Sequence, residues 1–414
     1  MICPFRFDPV GGDRLWIGGR PWNVIEAQRE GVMLGSRTIL YLVTEDWYFW
    51  SHRLPIARAA RDRGARVIVA SRMAAHEERI REEGFEAVHV SFDRSGINPL
   101  QDVRTLAAIE ALYRRTRPDI VHHVAAKPVI YGSLAARAAS VPVVINAMAG
   151  LGFLFTGDST GRRIARAVFE RGLQAACRGA RFWTILQNED DWEIFRSLGF
   201  PPDRLALIAG SGVDVNFYRP TPPVRGGTPV ALCVARMLRD KGICELVEAA
   251  RILRSRDVAI DIHLVGGADV NPTSIPARDL QAWAEEGIVR VGGHVDDLRP
   301  IYASASIAVL PSYREGLPKA LLEAAACGLP LVATDVPGCR SICRDGETGI
   351  LVPPRDAPAI AGALERLAHD PKERLRLGRA ARIAVVEKFS VKTVAEQTLA
   401  LYEHALELHR FGRG

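Results

Sequence analysis

Short, continuous apolar runs alternate with amphipathic segments along most of this chain, and the alternation starts twice. Residues 38–44 (TILYLVT) are apolar almost throughout, as a parallel strand covered on both faces must be; a strand with one wet face would alternate instead. Similar runs at 66–70, 87–91, 119–124 and 142–147 are separated by helical stretches near 53–63, 76–83, 102–115 and 131–139. The rhythm stops at 219–229 (RPTPPVRGGTP), where four prolines and two glycines predict a linker. It resumes with strands at 230–235, 260–266, 288–291, 307–311, 331–335 and 350–352, and closes with helices at 357–368, 372–386 and 391–408. Repeated βα units of this length build doubly wound parallel sheets. The expected fold class is α/β: two Rossmann-like doubly wound domains facing across a cleft, with ligands at the carboxyl ends of the strands.

A length of 414 residues agrees with two cores rather than one. With 48% hydrophobic and 25% charged residues the chain is globular rather than disordered. The longest apolar candidate, 141–155, is interrupted by Pro142, Asn146, Gly150 and Gly152, so no stretch reaches the roughly 20 apolar residues of a spanning helix. A net charge of +6 spread over this length is weak evidence for nucleic acid, and no such partner is expected. The seven cysteines contain no CxxC pair and no zinc set, which reads as reduced thiols in a cytoplasmic protein with no metal. A nicotinamide dehydrogenase would need G-x-G-x-x-G between a strand and its helix, and neither the 42–53 region nor Val265-Gly266-Gly267 fits.

The densest chemical signal follows the strand at 307–311. Residues 312–328 read SYREGLPKALLEAAACG, with Pro318 suited to a first helical turn and Gly328 to the exit. Amides of Gly316, Leu317, Pro318's successor Lys319 and Ala320 would form a phosphate seat at the helix mouth. Glu315 before the helix and Glu323 two turns along it would accept paired hydrogen bonds from vicinal hydroxyls. An isolated E-x7-E is more simply a dipole-facing charge and an exposed helix residue; strand, proline and glycine in register favour the site. A second signal, Arg236 and Lys241 in the loop after the strand at 230–235, supplies a planar fork and a point charge suited to a diphosphate.

These segments resemble the donor domain of retaining glycosyltransferase family 4, of GT-B fold, and most of all its capsule, O-antigen and exopolysaccharide branch. The similarity extends to Gly210-Ser211-Gly212-Val213-Asp214, Gln187-Asn188-Glu189-Asp190-Asp191 and Asp335-Val336-Pro337-Gly338-Cys339. It implies transfer of a sugar from a nucleotide-diphosphate sugar, with UDP preferred, to a polyprenyl-diphosphate-linked or oligosaccharide acceptor, without metal or other cofactor. Glu315 would contact the donor sugar, Glu323 the ribose, and Arg236 and Lys241 the diphosphate beside Gly316, Leu317, Pro318 and Lys319. Gly293, His294 and Val295 would lie against the base. A nucleotide-sugar epimerase or hydrolase of the same fold is the alternative. The resemblance also implies an acceptor domain at 37–214, a donor domain at 215–388, and a C-terminal helix at 389–414 packing back on the first domain.

Two departures from the family pattern matter. The usual glycine-rich loop after the first strand is here Glu45-Asp46-Trp47-Tyr48-Phe49-Trp50, so Trp47, Phe49 and Trp50 are expected to line the acceptor side together with Lys127. The family's His-x-His becomes His122-His123-Val124, which makes both His122 and His123 catalytic candidates and leaves open which faces the donor. Arginines between 162 and 181, with the apolar segment 151–155, predict peripheral contact with the inner face of the cytoplasmic membrane. Residues 1–36 form an uncertain extension: a start at Met33 and a functional N-terminal segment are both compatible with their composition.

Overall fold

The computed structural model describes residues 14–17, 20–23, 34–92, 99–148, 160–221, 227–267, 271 and 273–411. They form two compact units, one built from residues up to Ser211 and from Val391 onward, the other from Gly212–Ser390.

In the first unit the strands are β1 (Arg14–Ile17), β2 (Arg20–Asn23), β3 (Thr38–Glu45), β4 (Arg66–Arg72), β5 (Glu86–His89), β6 (Ile120–Val124), β7 (Val143–Ala147), β8 (Phe182–Leu186) and β9 (Leu205–Leu207). Their order is β2-β1-β9-β8-β7-β6-β3-β4-β5. The seven strands from β3 to β9 are mutually parallel, and order reverses between β3 and β6. β1 and β2 form an antiparallel hairpin beside β9, with Trp16 opposite Leu207. Strands β8 and β9 and this hairpin are absent from the sequence reading, although the run FWTIL of β8 is as apolar as β3. Every residue of β6, β7 and β8 is buried, which explains why these strands show no alternation. The helix Val391–Phe411 packs on the helix Leu54–Asp62 and supplies Val394, Leu401 and Tyr402 to the same core as Tyr41, Phe49 and Ile145.

The second unit holds β10 (Val230–Val234), β11 (Asp261–Val265), β12 (Arg290–Val291), β13 (Ile307–Leu310), β14 (Leu331–Thr334) and β15 (Gly349–Val352), all parallel, in the order β12-β11-β10-β13-β14-β15. The reversal lies between β10 and β13.

The change of unit at Ser211/Gly212 precedes the proline-rich stretch that reads as a linker. That stretch belongs to the second unit, and its residues 222–226 lie outside the described ones. The reason is local: Arg382 of the helix Pro371–Lys388 donates to the carbonyls of Val215 (2.9 Å), Tyr218 (3.0 Å) and Ala326 (2.8 Å), tying the incoming segment to the rest of the unit.

Candidate active site

An open α/β sheet leaves a crevice where neighbouring loops diverge, at the carboxyl edge of the strands flanking the reversal. In the second unit those are the loops leaving β10 and β13, and they carry Arg236, Lys241 and Glu315. Lys241 Nζ lies 2.5 Å from Glu315 Oε1, both side chains being largely buried, and the Ser312 hydroxyl donates to the same oxygen at 2.7 Å. Charge-assisted bonds of this kind are the strong ones, because desolvation weakens competition from water.

The loop bearing Glu315 is held from both sides. Tyr313 donates its amide to Asp240 O (2.9 Å) and its hydroxyl to Glu245 Oε1 (2.6 Å). The Thr334 hydroxyl donates to Ser312 O. Gly338, at φ +79°, passes so close that a Cβ there would stand 2.4 Å from Gly316 O. None of these clamps is visible from the spacing that singles out Glu315, since β10, β13 and β14 meet only in the folded sheet.

Arg236 is exposed, in a loop joined to its neighbours by a run of backbone bonds: Met237 N to Gly267 O (3.1 Å), and Gly266 N to Gly293 O (2.7 Å). Gly293 and His294 thus lie on the same carboxyl edge as Arg236, with Val295 next in the chain. His294 is exposed, its Nε2 3.3 Å from Asp296.

The helix after Glu315 runs Lys319–Ala326, and Pro318 stands at its N-cap rather than in its first turn. It ends in a Schellman turn, with Leu329 N bonded to Ala324 O and Gly328 N to Ala325 O, Gly328 taking φ +79°. Glu323 is only 5% exposed. Tyr302 donates to its Oε2 at 3.1 Å, Lys319 Nζ lies 3.7 Å from Oε1, and the Tyr218 hydroxyl also bonds it. Burial raises its pKa, opposed by Lys319 and the two phenols. Tyr218 and Tyr302 carry no sequence signal, being 105 and 21 residues away in the chain.

In the first unit the residues expected around the acceptor and the donor are dispersed. Residues 46–52 form a helix rather than a loop, because Asp46 accepts the Trp47, Ala74 and His76 amides at 2.7, 2.6 and 2.9 Å and anchors its start. Its period sends Phe49 into the core, so Phe49 cannot line an acceptor site. Trp50 packs under Arg79, 4.2 Å from its ring, and beside His76. Trp47 is 42% exposed. Lys127 opens the helix Ala126–Ala138, with Nζ 3.9 Å from Asp102.

Both histidines are buried, at 1% and 0% exposure. They sit on β6 in the middle of the sheet, where alternation sends them to opposite faces and both faces are covered. His122 Nδ1 meets the Tyr402 hydroxyl at 2.5 Å, and its ring stacks on Tyr41. His123 Nε2 meets Tyr113 at 2.9 Å and Nδ1 meets Asn146 Oδ1 at 2.8 Å. Burial lowers both pKa values, that of His123 to about 4, so both are neutral near pH 7.

Residues 38–179 match the family model described as glycosyl transferase 4-like, and residues 228–370 the one described as glycosyl transferases group 1. The chain belongs to the family 4 glycosyltransferases. Among the relatives of this glycosyltransferase is the N,N'-diacetylbacillosaminyl-diphospho-undecaprenol alpha-1,3-N-acetylgalactosaminyltransferase of Campylobacter jejuni, 26% identical over 86% of this chain and 95% of that protein. Another is the UDP-Gal:alpha-D-GlcNAc-diphosphoundecaprenol alpha-1,3-galactosyltransferase of Escherichia coli, 24% identical over 74% of this chain and 80% of that one. The fold is that of Anabaena HepE, solved in complex with UDP: TM-score 0.73 at 18% identity, covering 89% of this chain and 100% of the other. It is therefore the GT-B fold, carried by a glycosyltransferase.

Proposed function

We propose that this glycosyltransferase transfers a sugar from a UDP-sugar to a polyprenyl-diphosphate-linked acceptor, retaining the configuration of the anomeric carbon and using no metal. The observation that carries this reading is the Lys241–Glu315 pair beside the Lys319–Ala326 helix start, with Glu323 behind it. The donor would exchange this pair: its diphosphate takes Lys241, and the freed Glu315 carboxylate accepts hydroxyls of the sugar. Negative charge grows on the departing nucleotide, and Lys241, Arg236 and the helix N-terminus are the groups available to stabilise it. Glu323, already bonded to two phenols, has lone pairs left for the ribose hydroxyls. The acceptor class rests on the names of the relatives above, two of which act on undecaprenyl-diphosphate-linked sugars.

Incubation with a panel of nucleotide sugars and a short-chain polyprenyl-diphosphate-linked sugar, with the product anomer read by NMR and the assay repeated in EDTA, tests all parts of this reading. Release of free sugar without any transfer would contradict it. Glu323→Gln is expected to weaken UDP binding about tenfold, as loss of a charged hydrogen bond does; titration calorimetry reads it directly.

A lipid-linked acceptor has to be met at a membrane surface. The helix Thr160–Cys177 exposes Ile164 and Val168, 62% and 66% accessible, next to Arg163 and Arg166. The segment 151–155 and the Arg162 side chain lie outside the described residues. Basic residues near anionic lipid contribute about 1 kcal/mol each. Arg163→Glu with Arg166→Glu is expected to abolish sedimentation with anionic liposomes while leaving UDP affinity unchanged. Wild-type sedimentation should fall with added salt, as screening requires; equal sedimentation of both proteins would remove the membrane contact from the proposal.

A further inference from the structure

Arg355 holds a backbone conformation that arginine does not favour. It takes φ +64° in the turn Pro354-Arg355 after β15, where a proline followed by a left-handed residue calls for glycine. Strain of this kind persists where the surroundings over-determine it, and it concentrates in functional loops. What holds Arg355 is visible: its guanidinium lies over the Tyr313 ring, 4.6 Å from the centroid.

Tyr313 stands where three loops of the second unit meet. It lies two residues before Glu315 in the loop after β13. Its amide donates to Asp240 O at 2.9 Å, next to Lys241 in the turn Arg239–Lys241. Its hydroxyl donates at 2.6 Å to Glu245 Oε1, in the first turn of the helix Ile243–Ser255 that follows. Tyr313 is thus bonded through backbone and side chain to the segment that carries Lys241, while its own segment carries Glu315. Arg355 covers its ring from the third loop, just ahead of the helix Ala357–His369, which packs on Ile243–Ser255. Burial and the Glu245 carboxylate raise the pKa of the phenol, which keeps it a proton donor near neutral pH. The other Glu245 oxygen is buried with no partner among the described residues, so this carboxylate depends on the phenol.

We propose that Tyr313 is a positioning residue for sugar transfer: it fixes the Glu315 loop against the Lys241 turn, and Arg355 keeps its hydroxyl on Glu245. This rests on the roles proposed above for Lys241 and Glu315. Neither Tyr313 nor Arg355 touches substrate in this role. Tyr313 shares its loop with Glu315, the group that would meet the sugar. Loosening it therefore affects turnover more than UDP binding, which draws on Lys241 and Glu323. A displacement on the order of 1 Å at a reacting group can cost about 100-fold in rate. The amide bond to Asp240 survives any side-chain substitution, so a smaller loss is expected.

The test uses the full chain and reads three quantities: kcat with the nucleotide sugar and acceptor selected by the panel above, UDP affinity by calorimetry, and Tm. Tyr313→Phe should lower kcat about tenfold, and Arg355→Gly about threefold, the size that loss of one cation–π contact allows. UDP affinity should stay within about twofold of wild type in both. Arg355→Lys, which keeps a cation over the ring, should retain more activity than Arg355→Gly. The double variant should be no slower than Tyr313→Phe alone, because Arg355 acts through the phenol. Tyr313→Phe strands the Glu245 carboxylate and can lose stability for that reason. Arg355→Gly removes backbone strain together with the ring contact, so its Tm should stay within about 3 °C of wild type. Both single variants within about twofold of wild-type kcat would overturn the inference, as would additive losses in the double variant. A parallel fall of kcat and UDP affinity, or a Tm of Arg355→Gly several degrees lower, would make the stack a brace of the fold and overturn it too. Lys241→Ala and Glu315→Gln, measured alongside, separate the two readings. Full activity in that pair contradicts the proposed function and the inference with it; activity lost in that pair but kept in Tyr313→Phe overturns the inference alone.

Discussion

Lys241→Ala should lower the rate of sugar transfer about 100-fold, the loss of about 3 kcal/mol typical of one removed charge-stabilising donor. Two consequences of the same geometry make the effect this large. Lys241 is the ammonium against Glu315, so its loss removes the cation offered to the diphosphate and leaves the Glu315 carboxylate largely buried with only Ser312 donating to the oxygen they shared. Far-UV circular dichroism should be unchanged, because Lys241 closes a short turn rather than filling the core. Glu315→Gln should reduce turnover more than UDP affinity, since its substrate partner is the sugar. Steady-state rates at saturating donor check both; activity within twofold of wild type in Lys241→Ala would remove this residue from the site.

Gly242→Ala is expected to destabilise the second unit strongly. Gly242 takes φ +70° between Lys241 and the helix Ile243–Ser255, and a Cβ there would stand 2.0 Å from Pro311 O. The conformation alone costs an L-residue about 1 kcal/mol. The overlap is with backbone, so β10 and β13 must move apart, and overpacking of this kind adds about 1–3 kcal/mol. A fall in Tm of about 10 °C follows for a unit of this size. Gly287→Ala is the control: φ is again +70°, but nothing lies within 4 Å, so only the conformational cost remains. Equal melting of the two variants would show that the β10–β13 contact is not tight. The same displacement should separate Lys241 from Glu315, so Gly242→Ala should also lose transfer activity at temperatures where it is still folded.

Much of this protein is legible in order of sequence. A parallel strand covered on both faces is apolar almost throughout, and the chain states this at β3, β13 and β14 without reference to anything distant. Proline, glycine and carboxylates around 315–328 are equally local, because a helix mouth is built from consecutive residues. Pairing across strands is not local. That Lys241 meets Glu315, that Tyr302 and Tyr218 close over Glu323, and that Gly338 must be glycine follow only once β10, β13 and β14 lie side by side.

The aromatic segment and the two histidines mark the same boundary from the other side. Asp46 collects three amides from two separate stretches of chain and turns 46–52 into a helix, which sends Phe49 inward. His122 and His123 look like chemistry in one dimension, but β6 is central and the helix Val391–Phe411 brings Tyr402 onto one of its faces from 280 residues away. The sequence by itself determined the two sheets and the glutamate-bearing helix, since periodicity and capping act over a few residues. Only the tertiary structure decided which polar groups are buried and what partners them, because burial is a property of whatever packs on a residue and not of its neighbours in the chain.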